Sequence, residues 1–198
     1  MYDISQEVFS CAVFPGDPQP ERRTLLQIEN GDICNLTAFS MCAHNGTHID
    51  APRHFIPGGK TVDQIPPEVF TGRCFLARAE GILSAEDARR ILTDAQSANA
   101  AERILLGGEL VVSLAAAEVF AEAGVLLLGN ESQTFGDDTR PGCDIVAIHK
   151  ALLSADTVLL EGIRLHEIPP GAYFLSAAPL HLGGADGAPC RAVLWNID

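Results

Sequence analysis

Eleven consecutive residues, His44-Asn45-Gly46-Thr47-His48-Ile49-Asp50-Ala51-Pro52-Arg53-His54, limit what this chain can fold into more than any other stretch. They carry three of its six histidines and a carboxylate. Gly46 weakens a helix interior and Pro52 removes a backbone donor, so one continuous helix is ruled out and the segment is extended or looped. In extended chain, side chains alternate between faces. His44, His48, Asp50 and His54 all fall at even positions, so four metal-capable groups share one side. Neighbours two apart lie roughly 6.6 Å from each other, close enough for His48 and Asp50 to converge on one ion. His44 and His54 are too distant in a straight segment, so the chain bends at Gly46 and Pro52. Imidazole nitrogen with carboxylate oxygen suits Zn, Mn or Fe, whereas a structural Cys-type zinc needs thiolates. The helical zincin pattern, with a glutamate between two histidines on one turn, does not fit Asn45-Gly46-Thr47. A histidine cluster held only by hydrogen bonds is the competing reading. Burying several titratable groups side by side without a compensating charge counts against it.

A chain of 198 residues with 47% hydrophobic content can bury a sizeable core, and we read residues 1–198 as one domain. A net charge of -13 supplies no basic surface for phosphates. Nucleic acid and anionic membrane are therefore excluded as expected partners in favour of a small molecule. Met1 to Glu7 lack the basic start and apolar run of a signal peptide, so a cytoplasmic location is expected. The six cysteines are scattered with no C-x-x-C pair, as reduced packing residues would be. Cys42 precedes His44 by two and is a minor candidate for a thiol ligand.

Along the chain, Val8 to Phe14 reads as a strand, followed by a turn at Pro15-Gly16-Asp17-Pro18. Residues 24–28 and 33–41 read as a hairpin around Asn30-Gly31-Asp32 that delivers the chain into the histidine segment. Residues 73–79 resume strand character. Ser84 with Asp87 opens a helix to about Ala98, residues 103–106 form a strand, Ser113 caps a helix to about Ala123, and residues 125–128 form an apolar strand. This alternation implies parallel strands buried on both faces, with the loop 130–138 at a strand's C-terminal end, where ligands commonly bind. Asp144 caps a helix from Ile145 to about Leu153 that carries His149, and residues 158–162 form a buried strand ending in Glu161. A carboxylate closing an apolar run calls for a positive partner. Residues 172–178 and 191–197 complete the sheet.

The histidine segment resembles the signature H-x-G-T-H-x-D-x-P-x-H of the cyclase family of metal-dependent hydrolases, which includes bacterial kynurenine formamidase and isatin hydrolase. Every fixed position is present. Phe14-Pro-Gly-Asp is similar to the family's Trp-Pro-Gly-Asp, and Gly187-Ala-Pro-Cys-Arg-Ala to its C-terminal pattern. Gly129-Asn130-Glu131 departs from the Gly-Ile-Asp usual in kynurenine formamidases. The resemblance implies an α/β single domain with a mixed sheet or small barrel flanked by helices, of the swivelling β/β/α type, in a homodimer or homotetramer. It also implies that His44, His48 and Asp50 hold a first divalent ion, and that His149 and Glu161 complete a second with Asp50 and Glu161 bridging. His54 is then the acid/base and Phe14 a substrate contact.

The expected activity is hydrolysis of a small amide, either an N-formyl arylamine such as N-formylkynurenine or a cyclic amide, with one or two Zn or Mn ions per chain. The metal acidifies water and polarises the carbonyl. No G-x-G-x-x-G after a strand and no P-loop calls for an organic cofactor. The alternatives are a metal-dependent lyase or dehydratase, in which His54 removes a proton from carbon, and a non-catalytic metal-binding protein.

Overall fold

The apolar runs near residues 104, 128 and 159 become neighbouring parallel strands at the middle of a mixed sheet. The computed structural model describes residues 1–197. Among these the elements are β1 (Tyr2–Asp3), β2 (Glu21–Leu26), β3 (Leu36–Ser40), β4 (His48–Asp50), β5 (Thr71–Arg78), β6 (Gly81–Leu83), α1 (Ala85–Ser97), β7 (Arg103–Gly107), β8 (Leu110–Val112), α2 (Leu114–Glu122), β9 (Leu127–Asn130), α3 (Ile145–Ser154), β10 (Val158–Glu161), β11 (Gly171–Ser176), β12 (Gly187–Pro189) and β13 (Val193–Asn196).

Nine strands form the main sheet in the order β1-β13-β11-β5-β7-β9-β10-β4-β12. The centre, β5-β7-β9-β10, is parallel, and antiparallel strands extend it on both sides. β12 and β13 are joined by only three residues, Cys190 to Ala192, yet they stand seven places apart in that order. Seven spacings of a flat sheet cover about 34 Å, whereas the four Cα steps of that link reach at most about 15 Å. The sheet must therefore curl until its two ends approach. Gln6, three residues beyond β1, closes part of the gap by donating its N–H to the Thr47 hydroxyl just before β4 at 2.9 Å.

The curl divides the core in two. Ile49, Leu76, Leu105, Leu127, Leu160 and Leu194 pack inside it. Ile104, Leu106, Leu128 and Leu159 face outward, where α1, α2 and α3 cover them. Each helix begins as the sequence predicts: Ser84, Ser113 and Asp144 accept from the backbone N–H three residues on, a cap typically worth about 1 kcal/mol. Ala88, Ile91, Leu92 and Ala95 make the buried stripe of α1 at helical spacing. Among the described residues, no helix is long and apolar enough to cross a membrane.

Two local expectations change. Val8–Ser10 is a 3₁₀ turn rather than part of a strand, because the Glu7 carboxylate accepts from the Ser10 N–H at 2.9 Å and from its hydroxyl at 2.7 Å and curls the chain. β12 is an unanticipated strand; it lies at the sheet's edge, where Pro189 is tolerated. The hairpin expected before the histidines is present as β2 and β3, in a sheet of its own.

Candidate active site

β4 runs between β10 and β12, so its backbone is paired on both sides and its side chains are held rigidly. Ile49 points into the core inside the curl. His48 and Asp50 point the other way, beneath α3, as the alternation requires. The antiparallel register sets Glu161 opposite His48 and Leu159 opposite Asp50. From above, the fifth residue of α3, His149, reaches down to both carboxylates, with Nε2 at 3.3 Å from Glu161 Oε1 and 3.7 Å from Asp50 Oδ2. His48 Nε2 lies 3.3 Å from Asp50 Oδ1 and 3.3 Å from Glu161 Oε2.

The two bends do what the sequence requires of them. Gly46 adopts a left-handed backbone with φ 64°, and Pro52 opens a 3₁₀ turn ending at His54. His44 and His54, ten residues apart in sequence, thereby stack with ring centroids 4.0 Å apart. His44 Nδ1 is 2.8 Å from Asp50 Oδ1, and His54 Nε2 is 4.0 Å from Asp50 Oδ2. Every predicted histidine and both carboxylates thus meet in one cluster. Cys42 does not join it, its Sγ lying 3.8 Å from Asp17 Oδ2. Phe14 stands at the rim of a cavity of about 280 Å³, with Phe55, Ile145 and Thr134, and His48, His54, His149 and Glu161 line the same space.

The cluster carries buried charge. Burial opposes ionisation of Asp50, but the His44 and His48 rings beside it outweigh that and hold the carboxyl well below the ordinary carboxylate range. Desolvation likewise opposes charging His48, and Asp50 and Glu161 override it, raising the imidazole well above its ordinary value. His44 and His149 are raised in the same way, against burial, by Asp50 and by Glu161 respectively.

His48 Nε2 and Asp50 Oδ2 are buried and make no hydrogen bond. An orphaned buried polar atom costs about 1–3 kcal/mol, more when charged, so the pair points to a missing partner that accepts electron density from both. The other face of each ring fixes which nitrogen is available. His48 Nδ1 donates to the Gly46 carbonyl at 2.9 Å and His149 Nδ1 to the Ile145 carbonyl at 2.7 Å, and a carbonyl only accepts. In the neutral ring each Nε2 then turns its lone pair toward the carboxylates, the orientation metal-binding histidines require. The sets His44-His48-Asp50 and Asp50-His149-Glu161 each bring donor atoms within 4.8 Å of one another. Nitrogen and carboxylate donors around orphaned atoms fit a divalent cation.

Sequence reasoning missed two residues. Gln133, in the loop after β9, donates from Nε2 to the carbonyls of His44 at 3.0 Å and Gly46 at 2.8 Å and pins the turn between the first two histidines. Asp186 places Oδ2 at 3.0 Å from both His44 Nε2 and His54 Nδ1. Burial opposes its charge, but the two histidines hold its pKa below the ordinary value. Neither carries a local signal; Asp186 only borders a stretch resembling a family pattern.

A curled mixed sheet with buried imidazoles and carboxylates converging at the floor of a small cavity is the architecture of a metal-site protein of the α/β class. Residues 2–136 match the family model described as "Putative cyclase", and the chain belongs to this cyclase family. Among known proteins, the kynurenine formamidase of Salinibacter ruber (strain DSM 13855 / M31) is 33% identical over 207 residues, covering 98% of this chain and 96% of its own. A solved structure described as a potential metal-dependent hydrolase with cyclase activity superposes with a TM-score of 0.80 at 27% identity, over 100% of this chain and 98% of its own. Isatin hydrolase A from Labrenzia aggregata shares the fold, with a TM-score of 0.80 at 20% identity over 98% of this chain and 92% of its own.

Proposed function

We propose that this protein is a metal-dependent hydrolase of a small amide, acting on an N-formyl arylamine such as N-formylkynurenine or on a cyclic amide. The observation that carries this reading is the orphaned pair His48 Nε2 and Asp50 Oδ2 beside a small cavity lined by His48, His149 and Glu161. The similarity to a kynurenine formamidase over nearly the whole chain supports the substrate class. In this reading His44, His48 and Asp50 hold a first ion, and His149 and Glu161 a second, with Asp50 and Glu161 shared between them. Zn and Mn both suit these donors. A divalent cation held there supplies Lewis acidity, which polarises a carbonyl and acidifies water.

The protein's own groups do the rest. His54 is half-buried beside the cluster, with Nε2 turned toward Asp50. It takes up the proton of the attacking water and returns it to the leaving nitrogen. Phe14 and Phe55, on the cavity wall, pack against an aryl ring. A cavity of about 280 Å³ accommodates one substituted ring.

The active form in this reading is a homodimer or homotetramer in the cytoplasm. Ile28, Ile33, Leu36 and Phe39, on the hairpin that stands off the main sheet, are all exposed, Ile33 to 97%. An apolar projection of this kind is suited to a second copy of the chain, and light scattering on the purified protein checks it.

The deciding experiment is elemental analysis of purified protein combined with turnover of N-formylkynurenine and a cyclic amide in ¹⁸O-labelled water. Label in the carboxylate product, lost on chelation and restored by Zn or Mn, is the expected result. A product formed without solvent oxygen overturns hydrolysis in favour of elimination.

A further inference from the structure

Asp186 stands one residue before β12, and the β12–β4 register carries it to the cluster: Gly187 lies opposite Asp50, and the Asp186 carbonyl accepts from the Ala51 N–H at 2.9 Å. A single oxygen, Oδ2, then meets two rings at 3.0 Å each, His44 through Nε2 and His54 through Nδ1. An ionised carboxylate only accepts, so both of these nitrogens carry hydrogen. The opposite nitrogens, His44 Nδ1 and His54 Nε2, are the ones aimed at Asp50.

A second feature shows that the arrangement is built rather than incidental. The His44 ring rests on the backbone of Gly187, where a Cβ would lie 2.6 Å from His44 Cε1. The same strand end thus supplies both the seat for the ring and the acceptor for its outer nitrogen. With His48 and His149 tied by carbonyls, all four rings of the cluster have their outer nitrogens occupied.

We propose that Asp186 is a positioning residue that fixes the orientation of His44 and the tautomer of His54, making Nε2 of His54 the nitrogen that exchanges protons in the cavity. The catalytic consequence rests on the hydrolase reading above; the tautomer assignment does not. Free imidazole in water favours hydrogen on Nε2, which would leave no acceptor facing the reaction. The Asp186 oxygen reverses that preference for His54, because the hydrogen bond made by one ring nitrogen sets the state of the other. Sharing one oxygen also links the acid/base to a metal-binding ring, so a shift of either is felt by its stacked neighbour.

The test is long-range ¹H–¹⁵N correlation of histidine-labelled, zinc-loaded protein at about pH 8, above the ordinary imidazole range, for the wild type, Asp186→Ala and Asp186→Asn. The wild type should show His54 as the Nδ1–H form, Asp186→Ala should shift it toward Nε2–H, and Asp186→Asn, whose amide oxygen still accepts, should retain most of the native form. Against N-formylkynurenine, Asp186→Ala should lose about 10–100-fold in kcat, in the range found for partners of metal-site histidines, with KM within about twofold and partial recovery in Asp186→Asn. Wild-type His54 in the Nε2–H form, or an unchanged tautomer in Asp186→Ala, overturns the proposal. Should the wild type hydrolyse no amide while the tautomer shifts as stated, the hydrolase reading falls and the assignment of Asp186 stands.

Discussion

Glu161 and His48 are cross-strand partners on β10 and β4, and their side chains meet at 3.3 Å on the face beneath α3. Residues 113 positions apart are thus joined by strand register alone, and Asp50, two residues along β4, shares the same face.

Asp50 touches more of the cluster than any other side chain, so its replacement is the severest test. Asp50→Ala leaves the half-buried His44 and the buried His48 without their carboxylate, a cost on the order of 3–5 kcal/mol for a broken buried pair. We expect loss of bound metal by mass spectrometry, loss of turnover and a lower melting temperature. Metal-dependent turnover retained in this variant would contradict the assigned centre.

His54→Ala should behave differently. The ring lies 4.0 Å from Asp50 at its nearest approach and belongs to neither ligand set containing Asp50. Metal content should stay at the wild-type level while kcat falls roughly 10²–10⁴-fold, the usual share of a general acid/base. Simultaneous loss of metal would make His54 a ligand instead.

The raised histidines set a pH dependence in chelator-treated protein. A group whose pKa is higher folded than unfolded adds stability that is complete below its unfolded value, here 6.5, and is lost as pH rises through the folded value. The depressed Asp50 contributes the opposite slope, present above 3.8 and lost on acidification. Thermal midpoints in chelator should therefore decline above pH 6.5. Added Zn should stabilise increasingly over the same range, because metal and protons compete for the same nitrogens. A gap between loaded and stripped midpoints that narrows with rising pH would show that the histidines do not bind the ion.

Gly187→Ala probes the seat of the first histidine. The new methyl would lie 2.6 Å from His44 Cε1 and 2.6 Å from the Ile49 carbonyl, and the latter is backbone that cannot move cheaply. Overpacking of this kind costs about 1–3 kcal/mol. Metal affinity should fall with stability, whereas Gly184→Ala, where a Cβ meets nothing within 4 Å but φ is 77°, should affect stability alone.

The eleven-residue segment was legible because its physics is local. Alternation puts His48 and Asp50 on one face, and Gly46 and Pro52 are the residues that bend a chain, so the convergence of His44 with His54 follows from the segment itself. The helix starts at Ser84, Ser113 and Asp144 were legible for the same reason, since a cap is satisfied within three residues. Where a side chain competes with the strand, as Glu7 does by capping Ser10, apolar composition misled.

The sequence by itself determined the donor types, the parallel centre of the sheet and the two bends that gather the histidines. Carbonyls two and four residues away orient His48 and His149, but only the tertiary structure decided which nitrogen of His44 and of His54 faces inward, through a partner remote in the chain. Asp186 is 142 residues from His44 and 132 from His54. It reaches them because the curled sheet pairs β12 with β4 at its edge. Hydrogen bonding at a ring's outer nitrogen depends on what packs behind it, and nothing in the local pattern of a strand records that.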